Sequence, residues 1–230
     1  MKKIISLMAI LVLSTVSAKA ISMPSLGLLE LKAGIANNSS VWGASGEEHE
    51  FGEAGADEEI TKASGVFAES FDSQFVELGI GQYLSIGIDV VNDEILTPTN
   101  VSNEGGGNEA TVSVGFNDLT TTYVKLNIPF MNGVYLKAGD VEVDLDIKET
   151  VGSGRTYRNV STNGTSVGGG YERQIGDTPL GIRLEGNYIE LDAVTTNNGV
   201  ATTGNFNRID VKNMEGLTGK VALTFTLGRN

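Results

Sequence analysis

The sequence predicts an all-β protein, an eight-stranded antiparallel up-and-down barrel that crosses a membrane. Three observations carry that expectation. Apolar and polar residues alternate at period 2 in run after run, and helical periodicity is missing beyond residue 20. Short and long connections also alternate, which in an up-and-down sheet gathers tight turns at one end and long loops at the other. The polar face of the strands is small and carries both signs of charge, as the inside of a narrow closed barrel must.

The chain of 230 residues is long enough for a sizeable core. Lys2 and Lys3 precede an apolar run from Ile4 to Val16, and Ala18-Lys19-Ala20 follows. That run is shorter than the roughly 20 residues of a helical span, and its flanks are those of a secretory signal peptide. Residues 1–20 are therefore expected to be removed, leaving 21–230 as one barrel domain. Sixteen Lys+Arg against 29 Asp+Glu give a net charge of −13. Loss of Lys2, Lys3 and Lys19 makes the remainder more acidic still, which argues against nucleic acid or anionic headgroups as partners. There are no cysteines, so an exported chain must be held by its sheet alone.

The strands follow in order. "LLELKAG" (28–34) sets Leu29, Leu31 and Ala33 against Glu30 and Lys32. A second strand lies between Ile60 and Ile80, with its turn either at Asp72-Ser73 or near Gly79–Gln82. "YLSIGIDVV" (83–91) and "TYVKLNIPF" (122–130) alternate cleanly, and Asn132-Gly133 signals a type I′ hairpin into a strand over 133–148. "SVGGGYERQ" (166–174) leads through Gly176-Asp177-Thr178-Pro179 to "GIRLEGNYIELDAV" (181–194), and "LTGKVALTFTLG" (217–228) is the last. The polar stretches 37–60, 92–110, 149–163 and 195–213 read as the long loops. "VYLKAGDVEVD" (134–144) aligns without gaps to "IRLEGNYIELD" (182–192). In both, the apolar parity shifts midway, which reads as a β-bulge.

The apolar face is expected to be outside. Gly34, Gly87, Gly168, Gly170 and Ala222 share the polar face with Glu30, Lys32, Lys125, Glu172, Arg183, Glu185 and Lys220, and small residues are needed only in a crowded lumen. Tyr83, Phe130, Tyr135 and Trp42 sit near strand ends, where interfacial girdles belong. On this reading Val141, Val143, Leu145 and Ile147 face lipid and the outer leaflet. Asp140, Glu142, Asp144 and Asp146 then face the lumen near its external mouth.

The signal peptide, the eight alternating strands, the tight Asn132-Gly133 turn and the terminal "GKVALTFTLG" together resemble the small eight-stranded outer-membrane β-barrel proteins of the OmpA/OmpX type. The resemblance covers the mature chain as a pattern. It implies a cell outer membrane location, the lipid bilayer as partner, a monomer, and a structural or surface-interaction role through external loops. Members commonly end on an aromatic residue, whereas here Phe225 is the last aromatic before Leu227-Gly228-Arg229-Asn230. No part of the chain is expected to form a peptidoglycan-binding domain.

No catalytic, cofactor-binding or metal-binding residue emerges. His49, the one histidine, lies in "GEEHEFGEAGADEE" (46–59) and reads as a solvated loop residue rather than part of a catalytic unit. "GSG" (152–154) leads into no helix, so it is no phosphate cradle. Glu47, Glu48, Glu50, Glu53, Asp57, Glu58 and Glu59 form an acidic run that would attract divalent cations, yet its spacing matches no EF-hand loop. The expected function is therefore a non-enzymatic outer-membrane barrel. The alternatives are a narrow cation-permeable channel, with Asp140, Glu142, Asp144, Asp146, Glu190 and Asp192 as an acidic vestibule, or a soluble lipocalin-like binding barrel.

Overall fold

A computed structural model describes residues 29–51, 59–104, 108–150, 156–199 and 206–228. The expected signal peptide (1–20) and the glycine turn at 152–154 lie outside the described residues. Among the described residues eleven strands are formed: β1 (Leu29–Phe51), β2 (Glu59–Ile80), β3 (Leu84–Val91), β4 (Ile95–Leu96), β5 (Asn100–Glu104), β6 (Asn108–Asn127), β7 (Val134–Thr150), β8 (Val160–Gln174), β9 (Leu180–Leu191), β10 (Val194–Asn197) and β11 (Phe206–Leu227). Eight of them, β1, β2, β3, β6, β7, β8, β9 and β11, pair antiparallel in that order, and β11 closes on β1. The short β4 and β5 lie along β6, and β10 along β11.

Closure fixes the shear. Cα partners traced from Ala33 pass through Val76, Ile88, Thr122, Asp140, Thr165, Glu190 and Glu215 and return to β1 at Gly43, ten residues higher. Such a stagger requires strands tilted by roughly 35–45° from the axis. The eight-strand expectation is met, and the second strand is one unbroken piece that turns at Gly81 (φ +66°) rather than at Asp72-Ser73.

The start of β1, the end of β11 and the three tight turns, 81–83, 128–133 and 175–179, share one end of the barrel. At the Asn132-Gly133 position the chain does not make a two-residue type I′ turn. Positive φ falls on Phe130 and Gly133, and the Ile128 N–H donates to the Val134 carbonyl across a longer connection opened by Pro129. At the opposite end the walls are far taller than loops 37–60 and 195–213 suggested. β1 and β2 stay paired up to Glu50 and Glu59, and β11 follows β1 up to Phe51. The 23 residues of β1 measure about 75 Å along the strand. At the tilt given above they rise more than 50 Å, roughly twice the ~25 Å apolar band of a membrane barrel. The long "loops" are wall.

On the lower half of the wall the outward residues are apolar. Leu180, Ile182, Leu184, Leu126, Val124, Leu136, Val221 and Leu223 are exposed, while Thr224, next to Leu223, is 1% exposed and points inward. An apolar belt around a polar interior is the inside-out arrangement of a barrel that crosses a bilayer. Tyr83 and Tyr171 mark its lower rim, and Tyr188 its upper one.

Candidate functional site

The interior is the part of this barrel with chemistry, and it is built in three tiers. The lowest is an ion lattice. Arg183 on β9, 1% exposed, donates through Nη1 and Nη2 to the two oxygens of Glu77 on β2, at 2.7 and 2.8 Å. It also reaches Glu172 on β8 at 2.6 Å. Lys125 on β6 bridges the same two carboxylates at 2.6 and 3.3 Å, and the Tyr123 hydroxyl donates to Glu77 at 2.8 Å. Lys32 on β1 joins Glu172 at 2.5 Å and Glu30 at 3.2 Å. The guanidinium of Arg183 also lies 4.4 Å from the centre of the Phe75 ring, a cation–π contact in a desolvated setting.

A second ionic tier sits above. Lys137 on β7 and the Tyr135 hydroxyl both donate to Glu185, at 2.8 and 2.7 Å, and Lys220 on β11 donates to Asp89 on β3. Lys137 also packs over the Tyr123 ring at 3.9 Å. The two tiers hold Lys32, Lys125, Lys137, Arg183 and Lys220 against Glu30, Glu77, Asp89, Glu172 and Glu185. Five charges of each sign leave the two tiers neutral. Buried charges persist only when paired in this way, since each alone would cost several kcal/mol. The aromatic members fit because glycines face them: a Cβ at Gly87 would stand 2.6 Å from the Tyr123 ring.

The third tier is apolar. Trp42, Phe71, Val91, Ile95, Phe116, Leu119, Val141, Val143, Leu145, Ile189, Leu191, Val194 and Met214 form one buried cluster that closes the lumen above the ions. Trp42 and Phe116 stack at 5.6 Å between ring centres, and a Cβ at Gly216 would stand 2.6 Å from Trp42. Between the ions and this cap, a cavity of about 30 Å³ is lined by Asp89, Lys137, Asn187 and Lys220 below and by Phe71, Leu119 and Ile189 above. It has room for one or two waters.

This cap overturns the expected orientation of 140–147. Val141, Val143 and Leu145 are buried in the lumen, and Asp140, Glu142 and Asp144 are exposed on the outer wall. Glu190 and Asp192 are likewise exposed, and Asp146 is held by Asn117 and Asn159 at 2.9 and 2.8 Å. Hence those six carboxylates do not line a vestibule. No bulge shifts the parity either. β9 alternates strictly from Leu180 to Leu191 and keeps an unbroken register with both neighbours, as β7 does with β8. The register breaks fall elsewhere, at Asn117/Thr120 on β6, where Asp118 has φ +57°, and near Asn213 on β11.

What changes midway is the solvent. Above the bilayer the outside is water, so the apolar side chains turn to the core and the carboxylates turn out, as in a soluble barrel. Tyr135, whose hydroxyl donates to Glu185 within the ionic tiers, and Trp42, in the cap, are both buried inside, and neither belongs to a girdle.

His49 is also placed differently from expectation. It sits on the wall of β1, 8% exposed, with Nε2 3.3 Å from Asp210 on β11. Burial pushes the Asp210 carboxyl up, but the Thr195 hydroxyl, Arg208 and His49 together hold it below its usual range. Glu47 pairs with Lys62 and Lys212 at 3.2 and 3.3 Å, so the start of the acidic run is an ion lattice on a sheet. Glu53, Asp57 and Glu58 lie outside the described residues. Across the mouth, the Tyr157 hydroxyl donates to Glu48 at 2.6 Å and its N–H to Glu149 at 3.1 Å. Among the described residues no three His, Asp or Glu side chains are gathered as a metal would require.

No family model matches the chain, and no curated protein is significantly similar in sequence. Solved structures are similar in fold. Outer membrane protein AlkL in lipid bilayers matches with a TM-score of 0.50 at 11% identity, over 92% of this chain and 94% of that one. OprG from Pseudomonas aeruginosa gives 0.49 at 9%, over 86% and 98%. Ail of Yersinia pestis gives 0.38 at 9%, over 83% and 99%. The fold is that of the small outer-membrane barrels. At such identities the likeness concerns architecture alone.

Proposed function

We propose that this chain is an exported, monomeric, non-enzymatic protein of the cell outer membrane, closed to ions, which works through the tall part of its wall outside the cell. The observation that carries this reading is the double closure of the lumen, by two neutral ionic tiers and then by the apolar cap. An ion entering from either side meets paired charges or an apolar plug, and both oppose conduction. The investment of about half of every long strand in structure beyond the apolar belt supports a role in external contact. The cation-channel reading loses its support, because its vestibule carboxylates lie on the outer wall.

Planar-bilayer recording of the refolded protein tests the proposal, with no steady open conductance expected. Stable cation-selective steps that vanish in a Glu77→Gln or Asp89→Asn variant would refute it.

A further inference from the structure

β2 is paired along its whole length with β1, from Ile80 to Glu59, but with β3 only from Ile80 up to Ser73. Past Val91 the chain leaves β2, and β4 and β5 attach to β6 instead. Among the described residues, Glu59–Asp72 is therefore backbone-paired on one side only, with β4 passing close to β2 but not bonded to it. Its second row of backbone N–H and C=O groups forms an edge about 45 Å long. The edge is also uncovered: from Ile60 to Ser70 every residue but Phe67 is exposed, with Val66 at 76%.

Open edges of this length are normally blunted by proline, by several lysines, by a bulge or by brevity. None of these devices is present. "ITKASGVFAES" (60–70) contains no proline, and its one lysine, Lys62, is paired with Glu47. The β1–β2 register runs without a shift from end to end. β1 is in turn clamped by β11 on its other side, so the edge is held rigid before any partner arrives, which lowers the ordering cost of binding.

We infer that this edge of β2 accepts an extended, basic segment of another polypeptide as an added strand. The inference rests on the proposed external-contact role and names the partner's chemistry. Backbone pairing supplies affinity in such additions, and alternate side chains supply selectivity. Charge argues for a basic segment: Glu69 and Asp72 lie on the edge strand, Asp93 follows β3, and the chain carries −13 overall. A second copy fits poorly. Two barrels in one membrane are related by an axis along its normal. Their β2 edges, each tilted by about 40°, would cross rather than run alongside each other. Copies on apposed membranes would bring Lys62 opposite Ala68 or Ser70 in the in-register antiparallel pairings about Gly65 or Val66, with no ion pair gained.

The test uses the full barrel refolded in lipid nanodiscs and a synthetic peptide of about ten residues alternating lysine with valine, a typical strand length. Amide hydrogen exchange should show protection of 60–70 on adding the peptide, and little change on the outer wall of β7. Methylating alternate peptide amides on one edge should weaken binding at least about tenfold, the loss of a few backbone bonds. A glutamate–valine peptide should not bind.

Equal binding by the methylated peptide, or protection centred on Asp140, Glu142 and Asp144, would mean charge attraction alone and would overturn the inference. So would an edge left unprotected at saturating peptide. Protection of 60–70 that rises with protein concentration and needs no peptide would assign the edge to a second copy. A barrel that conducts ions yet shows peptide-protected 60–70 would sink the closed-barrel reading and leave this one standing.

Discussion

Replacing Glu77 by glutamine removes one charge from the centre of the lower ion lattice and changes little in shape. In the native protein that carboxylate, 1% exposed, receives two bonds from Arg183, one from Lys125 and one from Tyr123. After the change, Lys32, Lys125 and Arg183 are left facing only Glu172 and Glu30. Breaking one side of a buried pair costs about 3–5 kcal/mol, because the remaining charge is stranded. A loss of this size lowers the folded-to-unfolded ratio by a factor of roughly 10² to 10³·⁵. Urea unfolding in lipid vesicles measures it, with the fluorescence of Trp42, the only tryptophan, reporting on the cap and unboiled gel mobility reporting on the barrel. A cycle with Arg183→Met should show coupling above about 2 kcal/mol, since the two side chains share both bonds. A loss below about 1 kcal/mol in Glu77→Gln, with additive effects in the cycle, would refute the lattice as the element that holds the lumen together.

The remaining predictions concern the parts outside the bilayer. Val143→Asp, which puts a carboxylate into the apolar cap, should destabilise by about 2–4 kcal/mol. Glu142→Val on the outer wall should change stability by less than about 0.5 kcal/mol, and equal effects in one unfolding assay would deny the inverted polarity of the upper barrel. Glu149 is pushed above the ordinary carboxylate value of 4.5 by burial and by Glu48, partly offset by the Tyr157 N–H. The folded state therefore holds that proton more tightly than the unfolded chain. Stability is gained as pH falls through the raised value towards 4.5, and forgone at neutral pH. Glu149→Gln should slow amide exchange at Tyr157 at pH 7 and leave it unchanged near pH 4; an effect of equal size at both would point to a lost contact instead.

Much of the membrane half was legible in the sequence. Alternation in "TYVKLNIPF" and "GIRLEG" identified both the strands and their lipid face, because inside and outside differ sharply at every second residue. The charges on the inner face, from Lys32 to Lys220, were identified from their mixed signs, although their pairing needed three-dimensional register.

The upper half is ambiguous in the sequence for one physical reason. The rule that apolar means outward holds only up to the point where lipid gives way to water. In "GDVEVDLDIKET" the pattern is the same on either reading, and only the height of the residue decides which face is wet. Strict counting from Arg183 would have found it, since parity alone places Ile189 and Leu191 inside with Glu185. The long polar stretches 37–60 and 195–213 hid wall for a related reason: strands in water on both faces lack the apolar alternation that marks a strand. His49 was missed there too, because its burial comes from Asp210 and its neighbours on β11, far away in sequence.

The central claim is a single unbroken wall whose polarity inverts at the water boundary, and β9 tests it most directly. Single cysteines at Ile182, Leu184, Ile189, Glu190 and Leu191 in a chain with no native cysteine each carry one label. With lipids brominated on their acyl chains, fluorophores at 182 and 184 should be quenched, 190 should react with a membrane-impermeant maleimide, and 189 and 191 should do neither. Quenching at 189 and 191 with a shielded 190 would place a bulge after Arg183 and lipid against the upper wall, and would contradict the account.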